Sequence, residues 1–249
     1  MSLVDHLREL RVRLTVSAAA ILVTSVGGFF LAPFVIDALR VPINQLAKEH
    51  HATLVYTTVT GAFDLRLAIA VMIGIVAASP IWLYETFAFL VPGLTGREKR
   101  YTFGFFFSAV PLFFAGAACG WLAFPNMVKL LTSFSSTHEA TYLDARTYYD
   151  FVIKLVLAIG VAFVLPVFLV LLNFIGILSA RTILKGWRIA IFAICLFTAI
   201  ATPAADIISM FLLAIPMVLL YFIAAIIAFV HDRRAAKRAD QLEASLAAG

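Results

Sequence analysis

The composition of this 249-residue chain is that of a membrane protein. Hydrophobic residues occupy 63% of its positions, charged residues only 13%, and the mean hydropathy is +1.02. Soluble domains lie nearer to half apolar and a quarter charged, so the excess apolar surface must face lipid. The formal net charge of +5 does not indicate nucleic-acid binding, because the basic residues occur in short clusters between apolar runs, as in membrane-protein loops.

Six apolar runs predict six transmembrane helices. Backbone groups in lipid must hydrogen-bond internally, and the runs lack the alternation of a β-barrel, so each run is expected to be a helix. Each run except the fifth approaches or exceeds the ~20 residues that cross a bilayer core. The runs cover residues 14–32, 67–90, 101–123, 155–178, 189–201 and 207–230.

Proline positions predict where the spans bend or end. Pro203 cannot continue a helix, and Asp206 is a good N-cap for the sixth span, so the last two runs are expected to divide there. Pro80 and Pro166 fall inside spans, where prolines kink helices. The predicted fold class is therefore an all-α integral membrane protein whose six transmembrane helices form a concave bundle.

The basic residues predict the orientation of the spans. Thirteen of the nineteen lysines and arginines lie before the first run, between the second and third, between the fourth and fifth, or after the last. Cytoplasmic loops carry such an excess, so both termini are expected in the cytoplasm. The chain then divides into an amphipathic cytoplasmic helix at 1–13, a membrane domain at 14–230, and a basic cytoplasmic tail at 231–249 that is expected to contact anionic lipids.

Two glutamates lie among the basic residues of the cytoplasmic face. Glu9 precedes Arg13 by four residues on the N-terminal helix, where an i,i+4 ion pair is expected. Glu98 lies between Arg97 and Lys99 in the first cytoplasmic loop, where it balances local charge. From the residues alone, both glutamates have local structural roles.

The spans lack the groups that transport and catalysis require. Ion-coupled transporters place ionisable side chains near mid-membrane, and none lies near the middle of a run. Ser108 and Thr198, which lie in the spans, have no histidine or carboxylate within helical reach, and no phosphate-binding loop occurs. We expect no catalytic residue, metal site, cofactor or enzyme activity. A secondary transporter and a scaffold for partner helices are the alternative functions.

Segments along nearly the whole chain resemble the TatC family, in the family's own order. They match its HLxELRxRL opening, the end of its second helix with the first cytoplasmic loop, its fourth helix, its last periplasmic turn and its sixth helix. The segments are HLRELRVRL at 6–14, SPIWLY at 79–84, FAFLVPGL at 87–94 with REKR at 97–100, FVLPV at 163–167, TPAAD at 202–206 and LAIPM at 213–217.

The resemblance implies a receptor for twin-arginine signal peptides. In the family, the carboxylates aligned with Glu9 and Glu98 receive the paired arginines, and a guanidinium matches a carboxylate bidentately whereas lysine does not. Phe89 and Leu94 are implied to contact the apolar part of the peptide. Glu85 is a third acid on the same face, with its role open. The residues implied to orient the carboxylates or hold their loops are Arg11, Arg13, Arg97 and Arg100.

Two positions depart from the family pattern. The family usually carries a glutamate just before the Leu-Pro or Val-Pro of the fourth helix, and often a glutamine in the sixth. Val164 and Met210 occupy these positions here. Because the glutamate and the glutamine are both absent, a polar contact is lost and neither partner is left unpaired in the membrane. The assembly surface is therefore expected to differ from that of the family.

The resemblance also implies partners and location. The chain is expected in a bacterial-type cytoplasmic membrane, as the core receptor subunit of the twin-arginine translocation complex. It would support export of folded proteins driven by the proton-motive force. The implied partners are signal peptides, TatA- and TatB-type single-span proteins and further copies of the chain, and no nucleic acid.

Overall fold

The computed structural model describes residues 3–50, 53–90, 96–133, 142–201 and 207–247. Helices dominate these ranges, with two three-residue strands between them. The elements are α1 (Leu3–His50), β1 (Thr53–Val55), α2 (Gly61–Ala77), α3 (Ser79–Leu90), α4 (Gly96–Ser133), β2 (Tyr142–Asp144), α5 (Ala145–Phe174), α6 (Ala180–Lys185), α7 (Trp187–Ala201) and α8 (Ile207–Ala247).

The predicted all-α membrane fold is confirmed. Helices α1, α4, α5 and α8 are each long and apolar enough to cross a bilayer. Helices α2 and α3 qualify together as one span bent by 57°, and α7 is an apolar helix of 15 residues that matches the short fifth run. The predicted break between the last two spans, including Asp206, lies outside the described residues, although α7 ends and α8 begins on either side of it.

Helices α1 and α8 extend beyond the predicted spans. Helix α1 continues without a break from Leu3 to His50, through Pro33, so residues 13 and 32 are not helix ends. Helix α8 likewise continues from the last apolar run to Ala247. The divisions near residues 13 and 231 are therefore changes in composition along continuous helices, because neither place contains a residue that ends a helix.

The second span bends at Ala78, two residues before Pro80. Proline has no N–H to continue the helix ladder, so carbonyls of the preceding turn lose their usual donors. The indole N–H of Trp82 donates to one of these carbonyls, that of Ile75, at 2.9 Å. Pro80 thus divides the run into two helices as its position predicted, whereas Pro166 lies buried within the continuous helix α5.

Helix α5 is the centre of the bundle. It packs against α4, α8 and α2, and about half of its residues are buried. Helix α1 packs mainly on α2, through small residues that let the backbones approach. There the Thr24 hydroxyl donates to the carbonyl oxygen of Gly74 at 2.8 Å.

Strand β1 follows α1 and β2 precedes α5, and together they form a small sheet that the sequence did not predict. Strands β1 and β2 pair in parallel, with Leu54 opposite Leu143. Asp144 ends β2 and caps α5, accepting hydrogen bonds from the Thr147 backbone N–H at 3.0 Å and the Thr147 hydroxyl at 2.7 Å. These bonds favour the charged carboxylate and hold the pKa of Asp144 below its usual value.

At the opposite end, Asp232 ties α8 to the turn that joins α5 and α6. Its carboxylate accepts from the Asn173 amide at 2.9 Å and from the Ala180 backbone N–H at 2.7 Å. The turn itself contains Gly176 at φ +84°, a conformation that glycine adopts without steric cost. A single side chain therefore holds the first residue of α6 and the last turn of α5 against α8.

Candidate functional site

Three charged side chains meet where the start of α1 lies against α3. Arg13 donates to Glu9 Oε1 through Nε at 2.9 Å and through Nη2 at 2.6 Å. Its remaining terminal nitrogen, Nη1, donates to Glu85 Oε2 at 2.9 Å. The i,i+4 pair expected from the sequence is present, and Glu85 extends it to a second helix. We call Glu9, Arg13 and Glu85 the carboxylate cluster.

An aromatic pair lies beside the carboxylate cluster. The His6 ring stacks on the Phe89 ring with a centroid distance of 4.6 Å and an interplanar angle of 14°. His6 precedes Arg13 along α1, whereas Phe89, the partner of His6, follows Glu85, the partner of Arg13, along α3. The two helices therefore run antiparallel here, and the ring pair fixes their spacing one turn from the ion pairs.

The charges of the cluster do not balance. Two carboxylates share one guanidinium, so the formal net charge of these three side chains is −1. The side chains are 23% exposed at Glu9, 24% at Arg13 and 17% at Glu85, so solvent screens them only in part. Oε2 of Glu9 is buried and accepts no hydrogen bond within the described part of the chain. The cluster can therefore accept one further cationic donor.

The structure brings together some of the predicted site residues and leaves others undetermined. Glu9, Arg13 and Phe89 lie within one neighbourhood, whereas the exposed Arg11 forms no ion pair with a described side chain. Leu94 lies outside the described residues. Three predicted residues belong to the start of α4, but their side chains are outside the described set; they are Arg97, Glu98 and Arg100.

Sequence reasoning assigned no role to two members of this neighbourhood. In the sequence, Glu85 is only an acid on the same face, and His6 is only part of a motif. Their spacing carries a signal, because His6 precedes Glu9 by three residues and Glu85 precedes Phe89 by four, which puts each pair on one helix face. Which two faces would meet required the tertiary structure.

Comparison with known proteins decides the family. The family model described as "Sec-independent protein translocase protein (TatC)" matches residues 5–216. The chain belongs to the TatC family. Sec-independent translocase proteins of this name from Xylanimonas cellulosilytica and Rothia mucilaginosa are 40% and 37% identical to it. The alignments cover 96% and 100% of this chain and 87% and 85% of the relatives.

Solved structures agree with the family assignment. A crystal structure of the twin-arginine translocase receptor TatC superposes with a TM-score of 0.74 at 31% identity, covering 90% of this chain and 98% of that one. A second, in the detergent DDM, gives a TM-score of 0.76 at the same identity, covering 90% and 99%. The chain is therefore a multi-pass membrane protein of the Sec-independent translocase family.

Of the two positions predicted to depart from the family pattern, Val164 is internal. Val164 is 1% exposed and lies in an apolar cluster with Leu83, Phe87 and Phe113, between α5, α3 and α4. Met210 is half-buried near the start of α8. Val164 thus packs inside the chain's own bundle, where its contribution is apolar packing.

Within the described ranges, no group of three or more His, Cys, Asp or Glu side chains is arranged to hold a metal ion. The carboxylate cluster has only two acids, and Arg13 occupies the space between them. Its chemistry is therefore that of charge pairing and hydrogen bonding to a cationic ligand.

Proposed function

We propose that this TatC-family chain is the core receptor subunit of a twin-arginine translocation complex and binds the paired arginines of signal peptides at its cytoplasmic face. The proposal rests on the Oε2 atom of Glu9. This atom is buried within the carboxylate cluster, whose net charge is negative, and it accepts no hydrogen bond from the described residues. A signal-peptide guanidinium supplies the missing donor. The role is binding and requires no enzyme chemistry.

Guanidinium geometry explains why the signal would need arginine. Arginine offers parallel N–H donors that match both oxygens of one carboxylate, whereas lysine is a point charge. Each charge-assisted hydrogen bond contributes about 1.5–3 kcal/mol when partly desolvated. Because Glu9 is 23% exposed, salt should weaken the interaction.

The second arginine is assigned to Glu98. Its place near the start of α4 follows the cytoplasmic end of α3, which carries Phe89. We propose that Arg97 and Arg100 hold this loop, that Arg11 orients the carboxylates, and that Phe89 and Leu94 contact the apolar part of the peptide. These roles rest on the family resemblance together with the position of Phe89 beside the cluster.

The orientation and the partners complete the proposal. The basic loops support cytoplasmic termini in a bacterial-type plasma membrane, with single-span TatA- and TatB-type proteins and further copies of the chain as partners in export driven by the proton-motive force. The basic tail is proposed to contact anionic lipids, since Arg234 and Arg238 line a cavity of about 380 Å³ with an apolar floor.

Binding of matched peptides tests the proposal. The purified chain in nanodiscs of zwitterionic lipid is titrated with a signal peptide carrying Arg-Arg and with its Lys-Lys variant. We expect the Arg-Arg peptide to bind at least about tenfold more tightly, since one lost charge-assisted pair is worth roughly that factor. Glu9→Gln and Glu98→Gln should each remove most of this preference.

The control is Asp64→Asn, which removes a carboxylate paired with Arg146 near the outer end of the second span and should leave the preference unchanged. Equal affinity of the wild-type chain for the two peptides would contradict the receptor function. Loss of partner co-purification in the Glu9 variant, with unchanged peptide binding, would instead favour the scaffold function.

A further inference from the structure

Glu9 is already occupied in this structure by a residue of its own helix. Two of the Arg13 nitrogens, Nε and Nη2, donate to the same Oε1 atom at 2.9 and 2.6 Å. A signal arginine that binds both oxygens of Glu9 must therefore compete with Arg13 for Oε1. A receptor whose binding carboxylate is already paired needs somewhere for the displaced guanidinium to go, because an unpaired, partly buried cation is unfavourable.

Glu85 provides that place. It lies on α3, 72 residues away in sequence, yet its Oε2 accepts from Arg13 Nη1 at 2.9 Å. At 17% exposure it is the least exposed of the three side chains. Arg13 is thus held between two carboxylates, and it keeps its bond to Glu85 when it releases Glu9.

We infer that Glu85 is the alternate partner of Arg13 and acts as a positioning residue for signal binding. On arrival of a signal arginine, Arg13 transfers its bonds to Glu85, and both oxygens of Glu9 become available to the incoming guanidinium. Two carboxylates then pair with two guanidiniums, so the net charge of the cluster goes from −1 to zero. The inference rests on the proposed receptor function.

The neighbouring contacts make this exchange a local event. The His6–Phe89 stack holds α1 and α3 together one turn from the ion pairs, so Arg13 can change partner by side-chain rotation. The Arg13 side chain keeps 24% exposure, which leaves room for that movement. No helix displacement is required.

A double-mutant cycle tests the exchange. Peptide affinity is measured in nanodiscs for wild type, Glu85→Gln, Arg13→Gln and the double variant. Glu85→Gln replaces the charged acceptor with a neutral one, so Arg13 stays on Glu9 and Arg-Arg peptide affinity should fall about fivefold. With Arg13 already removed, the same change should alter affinity less than about twofold, because Glu85 then has no guanidinium to receive.

Matched variants separate charge from structure. Glu85→Asp keeps the carboxylate and should stay within about twofold of wild type. Asp150→Asn removes a carboxylate from the outer end of α5 and should have no effect on peptide affinity. A wild-type affinity for Glu85→Gln would overturn the inference. An equal loss in the presence and absence of Arg13 would also overturn it, since Glu85 would then contact the peptide directly.

A measurement on the wild-type chain does not depend on any variant folding. The ¹⁵N resonance of Arg13 Nε reports its hydrogen bond to Glu9. It should shift when the Arg-Arg peptide saturates the chain and stay in place with the Lys-Lys peptide. An unmoved resonance at saturation would overturn the exchange. Equal affinity of the chain for the two peptides would instead contradict the proposed receptor function itself.

Discussion

At the scale of single residues, the charged side chains of the carboxylate cluster and the apolar side chain of Val164 differ in how far they are buried. The carboxylate cluster retains partial exposure, and every charge in it has an ionic partner. Val164, in contrast, is 1% exposed among apolar neighbours. A carboxylate at that position would lie in an apolar cluster with no described cation beside it, whereas valine packs well in the cluster that includes Phe87 and Phe113.

Substitution of Val164 tests this interpretation. Val164→Glu should lower the thermal stability strongly, by several kcal/mol, because a charge or an unpaired carboxyl is buried. Val164→Ala should cost about 1–2 kcal/mol from the lost packing. Val161→Ala, one turn away on the same helix and 46% exposed, is the matched control and should be nearly neutral. A Val164→Glu protein as stable as wild type would place this side chain outside the core.

At the scale of elements, the packing of α1 on α2 depends on small residues. Gly74 of α2 faces Ser25 of α1 so closely that an added Cβ would lie 2.8 Å from the Ser25 nitrogen and 2.9 Å from its Cα. Backbone atoms cannot move aside as a flexible side chain can. This crossing holds α1 against α2, and α3, the other half of the second span, carries Glu85 against the start of α1.

A glycine pair on these helices gives a controlled test. Gly74→Ala should destabilise the protein by about 1–3 kcal/mol through overpacking against α1. Gly27→Ala should be neutral or slightly stabilising, because a Cβ there meets no atom within 4 Å and alanine favours helix. Thermal unfolding in detergent, followed by circular dichroism, measures both. Equal unfolding temperatures for the two variants would contradict the close packing of α1 and α2.

At the scale of the whole molecule, hydropathy predicts the spans because each must satisfy its backbone in lipid. It does not predict that α1 continues from Leu3 to His50, since the polar residues after the apolar run form helix as readily as loop. The pairing of β1 with β2 joins segments far apart in sequence, and such pairing has no local signal.

In the candidate site, too, local features could be predicted from the sequence and long-range contacts could not. The Glu9–Arg13 pair was predictable because its spacing is local. The addition of Glu85 depends on how the bent second span packs against α1, which no periodicity encodes. The functional assignment of Glu98 came from the family resemblance, and its side-chain environment stays a prediction because it lies outside the described set.

Site-specific photo-cross-linking tests the central claim most directly. A photoreactive residue is placed at position 8, beside Glu9, or at position 59, where Val59 is fully exposed between β1 and α2. In nanodiscs, where both faces are accessible, we expect the position-8 probe to label an Arg-Arg signal peptide and to label its Lys-Lys variant at least about tenfold less. The position-59 probe should label neither. Equal labelling of both peptides from position 8, or labelling of the Arg-Arg peptide from position 59 alone, would contradict a twin-arginine receptor built around Glu9.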